Sequence, residues 1–149
     1  MRRILISLLA LLCMASCGRR RNAPAQEAAA DSRPRVFLPA IAPSSLSPDE
    51  RRDYLRVHYW DRFDFTDTLF TVRADTLQMV EAYARYIALI SDRPTDGSPI
   101  DSLMRRASSS RKMLDYFSML AEQVLHDPNS PLRNDEFYIP VLQAQLRSP

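Results

Sequence analysis

The two histidines and the acids near them are the residues of this chain whose chemistry could include proton transfer or metal binding. His58 and Asp61 stand three positions apart, which places both on one face of a helix and could supply two ligands to a metal ion. A zinc site needs at least three protein ligands, and no third ligand follows at a matching interval. We therefore interpret His58 as a packed helix residue, and His126 as a residue that suits the negative end of a helix dipole.

Three acids at intervals of three, Asp61, Asp64 and Asp67, invite comparison with a calcium-binding loop. An EF-hand loop requires oxygen ligands at its first, third and fifth positions, then a glycine and a distant glutamate, and that pattern is missing. Asp135 and Glu136 are adjacent, so on a helix their carboxylates point in different directions. No serine lies in the sequence of a nucleophile elbow. We therefore predict no catalytic residue, no metal site and no cofactor.

Thiol chemistry is confined to the start of the chain, because Cys13 and Cys17 are the only cysteines. A basic start precedes an apolar run, residues 4–12, which is too short to span a bilayer and is typical of a secretory signal. The sequence MASC, residues 14–17, is typical of a bacterial lipobox. We therefore predict a lipoprotein signal peptide at residues 1–16 and lipid on Cys17. The alternative is a secreted protein in which Cys17 is free.

Lipid on Cys17 would attach this chain to a membrane, because each methylene of an acyl chain that enters the bilayer contributes about 0.8 kcal/mol to the binding free energy. Gly18 follows in place of the aspartate that retains some lipoproteins in the inner membrane. We therefore predict a cell-envelope protein, anchored in the outer membrane and facing the periplasm. With Cys13 removed and Cys17 acylated, no thiol remains for disulfides, nucleophilic catalysis or thiolate metal sites.

The composition of residues 17–46 indicates a flexible tether, because alanine, proline and polar residues follow one another there without a sustained period. Val36, Phe37, Leu38 and Ile41 are nevertheless apolar enough to pack against the folded domain.

Charge and glycine content exclude two classes of function. Residues 53–149 contain ten arginines and one lysine against fourteen acids, a net charge of −3 that does not favour neutralisation of nucleic-acid phosphates. Gly18 and Gly97 are the only glycines, so the chain lacks the glycine-rich loops that cradle nucleotide phosphates. We predict no nucleic-acid partner.

The elements that position these residues are predicted to be helices. Ser47, with a proline and a glutamate after it, forms a capping box for a helix that should reach about Arg62. Apolar residues recur at three and four positions in residues 71–91, in the helix that Ser98 should cap, and in residues 111–126. Asn134 caps a last helix, which Pro140 should kink or start. The apolar set of that helix is Phe137, Tyr138, Val141, Leu142 and Leu146.

These patterns predict an all-α fold, a small bundle of four or five helices at residues 47–149. Residues 53–70 hold six of the thirteen aromatic residues and should seed its core, with Phe63 and Phe65 pointing inward from a corner at residues 61–67. The alternative is that some rings are partly exposed and form a groove for another protein or ligand. The candidate interaction surface is then Tyr54, Tyr59, Trp60, Phe63 and Phe65.

Two stretches, YLRVHYWDRFDFTDTLF at residues 54–70 and LHDPNSPLRNDEFYIPVLQAQLRSP at residues 125–149, resemble a family of domains of unknown function. The family occurs in lipoproteins of gut and oral Gram-negative anaerobes, between the lipobox and a thioredoxin-like domain of the thiol–disulfide interchange type. The resemblance covers about residues 43–149 and implies a location and a neighbour, with no catalytic residues. A thioredoxin-like part with its CxxC motif is missing from this sequence. The chain is therefore either a fragment of a longer protein or a stand-alone helical lipoprotein.

We accordingly expect a membrane-anchored lipoprotein whose helical domain is a non-catalytic spacer or interaction module, accompanying a thioredoxin-like domain or another envelope protein. The alternative is a stand-alone binding module with an aromatic groove for an envelope peptide, glycan or hydrophobic ligand. A third hypothesis is an enzyme that uses His58 with neighbouring acids. The sequence does not specify the oligomeric state.

Overall fold

The computed structural model describes residues 34–92 and 97–148, and the regular elements in those ranges are helices, apart from one isolated bridge between Arg35 and Ala74. The predicted all-α fold is therefore confirmed. In the described ranges, none of the helices has the length and apolar character needed to cross a membrane. The predicted signal peptide, Cys17 and residues 17–33 of the predicted tether lie outside the described residues.

The helices are α1 Pro48–His58, α2 Phe70–Arg73, α3 Thr76–Ser91, α4 Ser98–Ala107, α5 Arg111–Ala121 with a π-helical turn Glu122–His126, and α6 Asp135–Arg147.

Capping side chains begin two of the helices where the sequence predicts them, at Ser47 and Asn134, and Ser110 adds a further cap. Ser47 and Glu50 form the predicted capping box, in which the Glu50 carboxylate accepts a hydrogen bond from the Ser47 amide at 2.8 Å. Asn134 caps α6 by accepting a hydrogen bond from the amide of Phe137 at 3.1 Å, and Ser110 caps α5 in the same way. A cap of this kind stabilises a helix by about 1 kcal/mol.

Three helix boundaries differ from the prediction for local reasons. Helix α1 ends at His58 and does not reach Arg62, because the chain turns there to bury the aromatic rings that follow. The helix predicted at residues 71–91 is divided, since Ala74 is extended and the Asp75 side chain caps α3. Helix α4 has Gly97 as its N-cap and not the serine after it, and Gly97 has a φ of 78°, which favours glycine.

Helix α6 buries a narrower face than its apolar residues suggest. Phe137 and Val141 are 4% and 0% exposed, and the helix runs through Pro140 without restarting there. Leu142 and Leu146, which the sequence places in the same apolar set, are 43% and 87% exposed. The difference arises because α6 carries apolar residues on two faces, and its neighbours cover one of them.

The core is a cluster of aromatic and aliphatic side chains, in which the ring of Trp60 lies next to rings from several segments of the chain. That ring stacks on Phe37 with centroids 4.7 Å apart and meets the edge of Phe117 at 5.3 Å. Tyr86 and Tyr83 of α3 lie 5.7 and 6.3 Å from it. Aromatic pairs contribute about 0.5–1.5 kcal/mol each beyond the area they bury, so these contacts join α3, α5 and the segment before α1.

The segment before α1 belongs to the folded unit, which begins at Pro34. Phe37 is 3% exposed, and its backbone exchanges two hydrogen bonds with the side-chain amide of Gln78, at 3.1 and 2.8 Å. The predicted packing of Phe37 against the domain is thus confirmed. The three other apolar residues of this segment are exposed, namely Val36, Leu38 and Ile41.

Two buried tyrosines allow a comparison of how a hydrogen-bonded and an unpaired hydroxyl group affect the stability of the core. The Tyr83 hydroxyl is buried without a hydrogen-bond partner among the described residues, whereas the Tyr59 hydroxyl donates to the carbonyl of Ala82 at 2.9 Å. Tyr83→Phe should leave the free energy of unfolding unchanged or raise it by up to about 1 kcal/mol, because an unpaired buried hydroxyl is removed. The matched variant Tyr59→Phe should lower it by about 1 kcal/mol, because a hydrogen bond is lost. Urea denaturation measures both, and a clear loss of stability in Tyr83→Phe would contradict this account.

Candidate functional site

The aromatic residues predicted as a candidate interaction surface lie in the core. Tyr54 is the exception, since it is partly buried and its ring stacks on His58 with centroids 4.3 Å apart. The other four rings are inaccessible to a partner, which corrects the predicted surface: they complete the core of a small bundle. These four residues are Tyr59, Trp60, Phe63 and Phe65, at 6%, 3%, 6% and 7% exposure.

Two side chains at the end of α4 hold the aromatic corner in place. Arg106 donates from Nη2 to the carbonyl oxygen of Trp60 at 3.0 Å, and its guanidinium lies 4.5 Å from the centroid of the Phe65 ring. Ser109 donates from its hydroxyl to the carbonyl oxygen of Phe65 at 2.6 Å. Arg106 also pairs with Asp61 at 3.2 Å. These side chains therefore provide hydrogen-bond donors for two backbone carbonyl groups of the corner, and so they fix its shape.

The structure brings together His58 and Asp61, the pair with the most suggestive spacing. The Nδ1 atom of His58 lies 2.6 Å from Oδ2 of Asp61. The hydrogen bond with His58 holds the pKa of the Asp61 carboxyl below its usual range, and the charge of Arg106 acts in the same direction. Both side chains of the pair are well exposed, at 40% and 48%. Exposed pairs of this kind contribute about 0–1 kcal/mol, so the contact is a modest support for the corner.

The three corner acids have different partners and do not converge on one cation. Asp64 accepts hydrogen bonds from the amide and the hydroxyl of Thr66, at 2.9 and 2.6 Å, and these bonds lower the pKa of Asp64. Asp67 pairs with Arg35, whereas Asp61 pairs with the α1 histidine. Within residues 34–92 and 97–148, no group of three or more histidines, cysteines or acids is arranged to hold a metal ion.

The remaining residues with possible chemistry serve the ends of helices. His126 ends the π-helical turn and stacks on Tyr138, with ring centroids 4.8 Å apart and nearly parallel planes. Asp135 and Glu136 are exposed in the first turn of α6, where negative charge complements the helix dipole. Their positions match the predicted structural roles.

A groove of about 370 Å³ lies between α1, α3 and α4, and three arginines line it. Each of them already has an acidic partner. Arg56 pairs with Asp92 at 3.1 Å, Arg105 pairs with Asp101 at 2.8 Å, and Arg106 holds the corner. The aromatic rings beside the groove expose almost no area. This groove is therefore lined by paired arginines and not by exposed aromatic rings.

An uncharged apolar strip on α6 is the exposed feature that sequence reasoning missed. Ile139, Leu142 and Leu146 follow one another at intervals of three and four, and they are 51%, 43% and 87% exposed. We call these three residues the α6 strip. No charged residue occurs between Glu136 and Arg147. The sequence does show apolar residues on two faces of this helix. Periodicity alone does not indicate which of the two faces is buried in the domain.

Comparison with known proteins supports two parts of the resemblance, a family of domains of unknown function and a thioredoxin-like relative. The family described as "Domain of unknown function (DUF5106)" matches residues 16–149. Among solved structures, the chain is similar to a thioredoxin-like protein from Bacteroides caccae ATCC 43185, with 36% sequence identity and a TM-score of 0.63. That match covers 76% of this chain and 41% of the other, so the chain spans about two fifths of the Bacteroides protein. No curated protein matches the chain. Since the family match extends over most of its length, the chain belongs to the DUF5106 family of domains of unknown function.

Proposed function

We propose that this chain is a non-catalytic helical module of a lipid-anchored envelope protein and that it works beside a thioredoxin-like domain. The similarity to the Bacteroides caccae protein carries the proposal. It covers 76% of this chain at 36% identity but only 41% of the other chain, so more than half of that thioredoxin-like protein lies outside the match. A region similar to this bundle therefore shares one polypeptide with further sequence there.

The contacts of the polar residues support a structural role. His58 and Asp61 pair beside the corner, Asp64 closes a turn, and Ser110 caps a helix. Both cysteines lie within the first 17 residues of the sequence, so the helical domain itself supplies no thiol. Any thiol–disulfide chemistry would belong to the thioredoxin-like companion.

Membrane attachment is proposed from the sequence of residues 14–17. Lipid on Cys17 would hold the domain at the outer membrane, on its periplasmic side. Two proteins or domains held at one surface meet at a high effective concentration, so weak contacts between them are sufficient for association. An anchored module therefore suits the role of a spacer or docking partner.

The second candidate is a stand-alone module that binds an envelope peptide, glycan or hydrophobic ligand. Its site would be the arginine-lined groove, whose volume is in the range of small-molecule sites. We favour the first function because the arginines of this groove are paired with acids and the neighbouring rings are buried.

Substitution of the two cysteines tests the anchor. The unchanged protein should be found in the membrane fraction, and mass spectrometry should show acyl chains on an N-terminal peptide that begins at Cys17. Cys17→Ser should abolish both, because the lipid attaches to the thiol. Cys13→Ser is the matched control and should leave attachment unchanged, since Cys13 lies in the segment removed. Attachment that persists in Cys17→Ser would rule out the proposed anchor.

The proposed thioredoxin-like companion can be tested by identifying the natural polypeptide that contains this domain. An antibody against the helical domain should detect, in the cell envelope, a polypeptide longer than these 149 residues. Its tryptic peptides should include a thioredoxin-like segment with a CxxC motif. Detection of peptides from residues 17–149 alone, with no thioredoxin-like protein in cross-linked complexes, would favour the stand-alone module.

A histidine substitution tests whether the His58–Asp61 pair is a structural contact. His58→Ala should raise the pKa of Asp61 towards its usual value, because the largest cause of its depression is removed. The contribution of this pair to stability, present at neutral pH and lost as pH falls through the folded-state pKa of Asp61, should shrink accordingly. Carbon-13 NMR titration of the carboxyl groups measures the shift. Asp64 serves as the internal control, since its pKa depends on Thr66 and should not move.

A further inference from the structure

We propose that the α6 strip, formed by Ile139, Leu142 and Leu146, is the surface on which the thioredoxin-like domain docks. The inference rests on the proposed function, which supplies the partner, and it assigns that partner a face of the bundle. Three properties of α6 carry it: the rigidity of the helix, the lack of charge along its outer face, and the size of the exposed patch.

The inner face of α6 is held firmly in the bundle. Phe137, Val141 and Ala144 are at most 4% exposed. A Cβ added to Gly97 would lie only 3.2 Å from Cγ of Pro140, which shows how closely the start of α4 approaches the middle of α6. The outer face is therefore presented by a helix that does not need to be ordered on binding, and such preorganisation lowers the cost of association.

The outer face of α6 lacks the charges that other exposed helix faces carry. Ten consecutive residues between Glu136 and Arg147 are uncharged. Depletion of charged residues is typical of the centre of a protein interface. Three other helices instead carry ion pairs four residues apart on their outer faces, namely Glu81–Arg85 in α3, Asp101–Arg105 in α4 and Arg111–Asp115 in α5.

The size of the α6 strip favours a tethered occupant over a free one. Three partly exposed aliphatic side chains offer a few hundred Å², whereas stable interfaces between separate proteins bury about 1,200–2,000 Å². Interfaces between domains of one chain begin at about 600 Å² in total, because the linker supplies a high effective concentration. A domain of the same polypeptide, such as the unmatched part of the Bacteroides chain, therefore fits this strip better than a second copy.

A second group of exposed apolar residues lacks these properties. Val72 and Leu77 are 78% and 70% exposed, but they lie on different helices, and Arg73 and Asp75 stand between them in the sequence. This group supplies a matched control for the α6 strip. Leu77 is as large as Leu146 and comparably exposed, but it lies in the first turn of α3, whereas Leu146 lies in the last turn of α6. Aspartate suits the helix dipole at Leu77 and opposes it at Leu146, so the fold of both variants must be checked.

NMR titration of the whole isotope-labelled chain, in detergent micelles, tests the proposal. The probe is the part of the Bacteroides caccae protein that lies outside the match. Signals of α6 should shift on addition of the probe, and Leu146→Asp should weaken the interaction at least tenfold. Leu77→Asp should change the affinity less than twofold. Circular dichroism should show that both variants fold, and Ile139→Asp provides a second strip variant.

The other possible results of this titration contradict the docking proposal in different ways. Shifts confined to another face would refute docking on the α6 strip and leave the proposed function standing. The absence of any shift up to about 1 mM probe, the effective concentration within one chain, would refute docking on the α6 strip and leave a spacer role for the domain. Shifts in α6 that depend on the concentration of the chain itself, without probe, would assign the strip to a second copy and so refute the proposal.

Discussion

Burial of the Trp60 ring is the constraint on which the rest of this structure depends. The ring is 3% exposed and packs between Phe37, which precedes α1, and Phe117 of α5. Tyr86 of α3 closes a further side. Segments distant in the sequence therefore meet at one side chain, and the chain must leave α1 at His58 to place it. The corner and the docking of the N-terminal segment both accompany that burial.

Packing around Trp60 also determines which side chains stay exposed and available to a partner. Rings that might otherwise have formed a binding surface complete the core, and Arg106 and Ser109 are committed to the corner backbone. His58 and Asp61 pair at the surface beside it. The polar groups around the corner thus hold its shape, and the exposed α6 strip is the surface that we propose for docking.

The proposed function assigns different tasks to different parts of an envelope protein. A lipid at Cys17 would set location, and the helical bundle would offer a rigid platform without thiols of its own. A thioredoxin-like companion would supply redox chemistry. Small apolar contacts are sufficient between tethered partners, because the tether reduces the entropy lost on association. Tethering would therefore make the proposed interface on the α6 strip sufficient, although that strip is too small to hold two free molecules together.

The sequence by itself determined the features that depend on nearby residues. The caps at Ser47 and Asn134 bond to amides three positions away, and the helical periods predicted an all-α fold. Only the tertiary structure decided that the Trp60 ring is core, and that Leu142 and Leu146 are exposed. The physical reason is that periodicity identifies the apolar faces of a helix, whereas burial depends on which distant elements pack against each face.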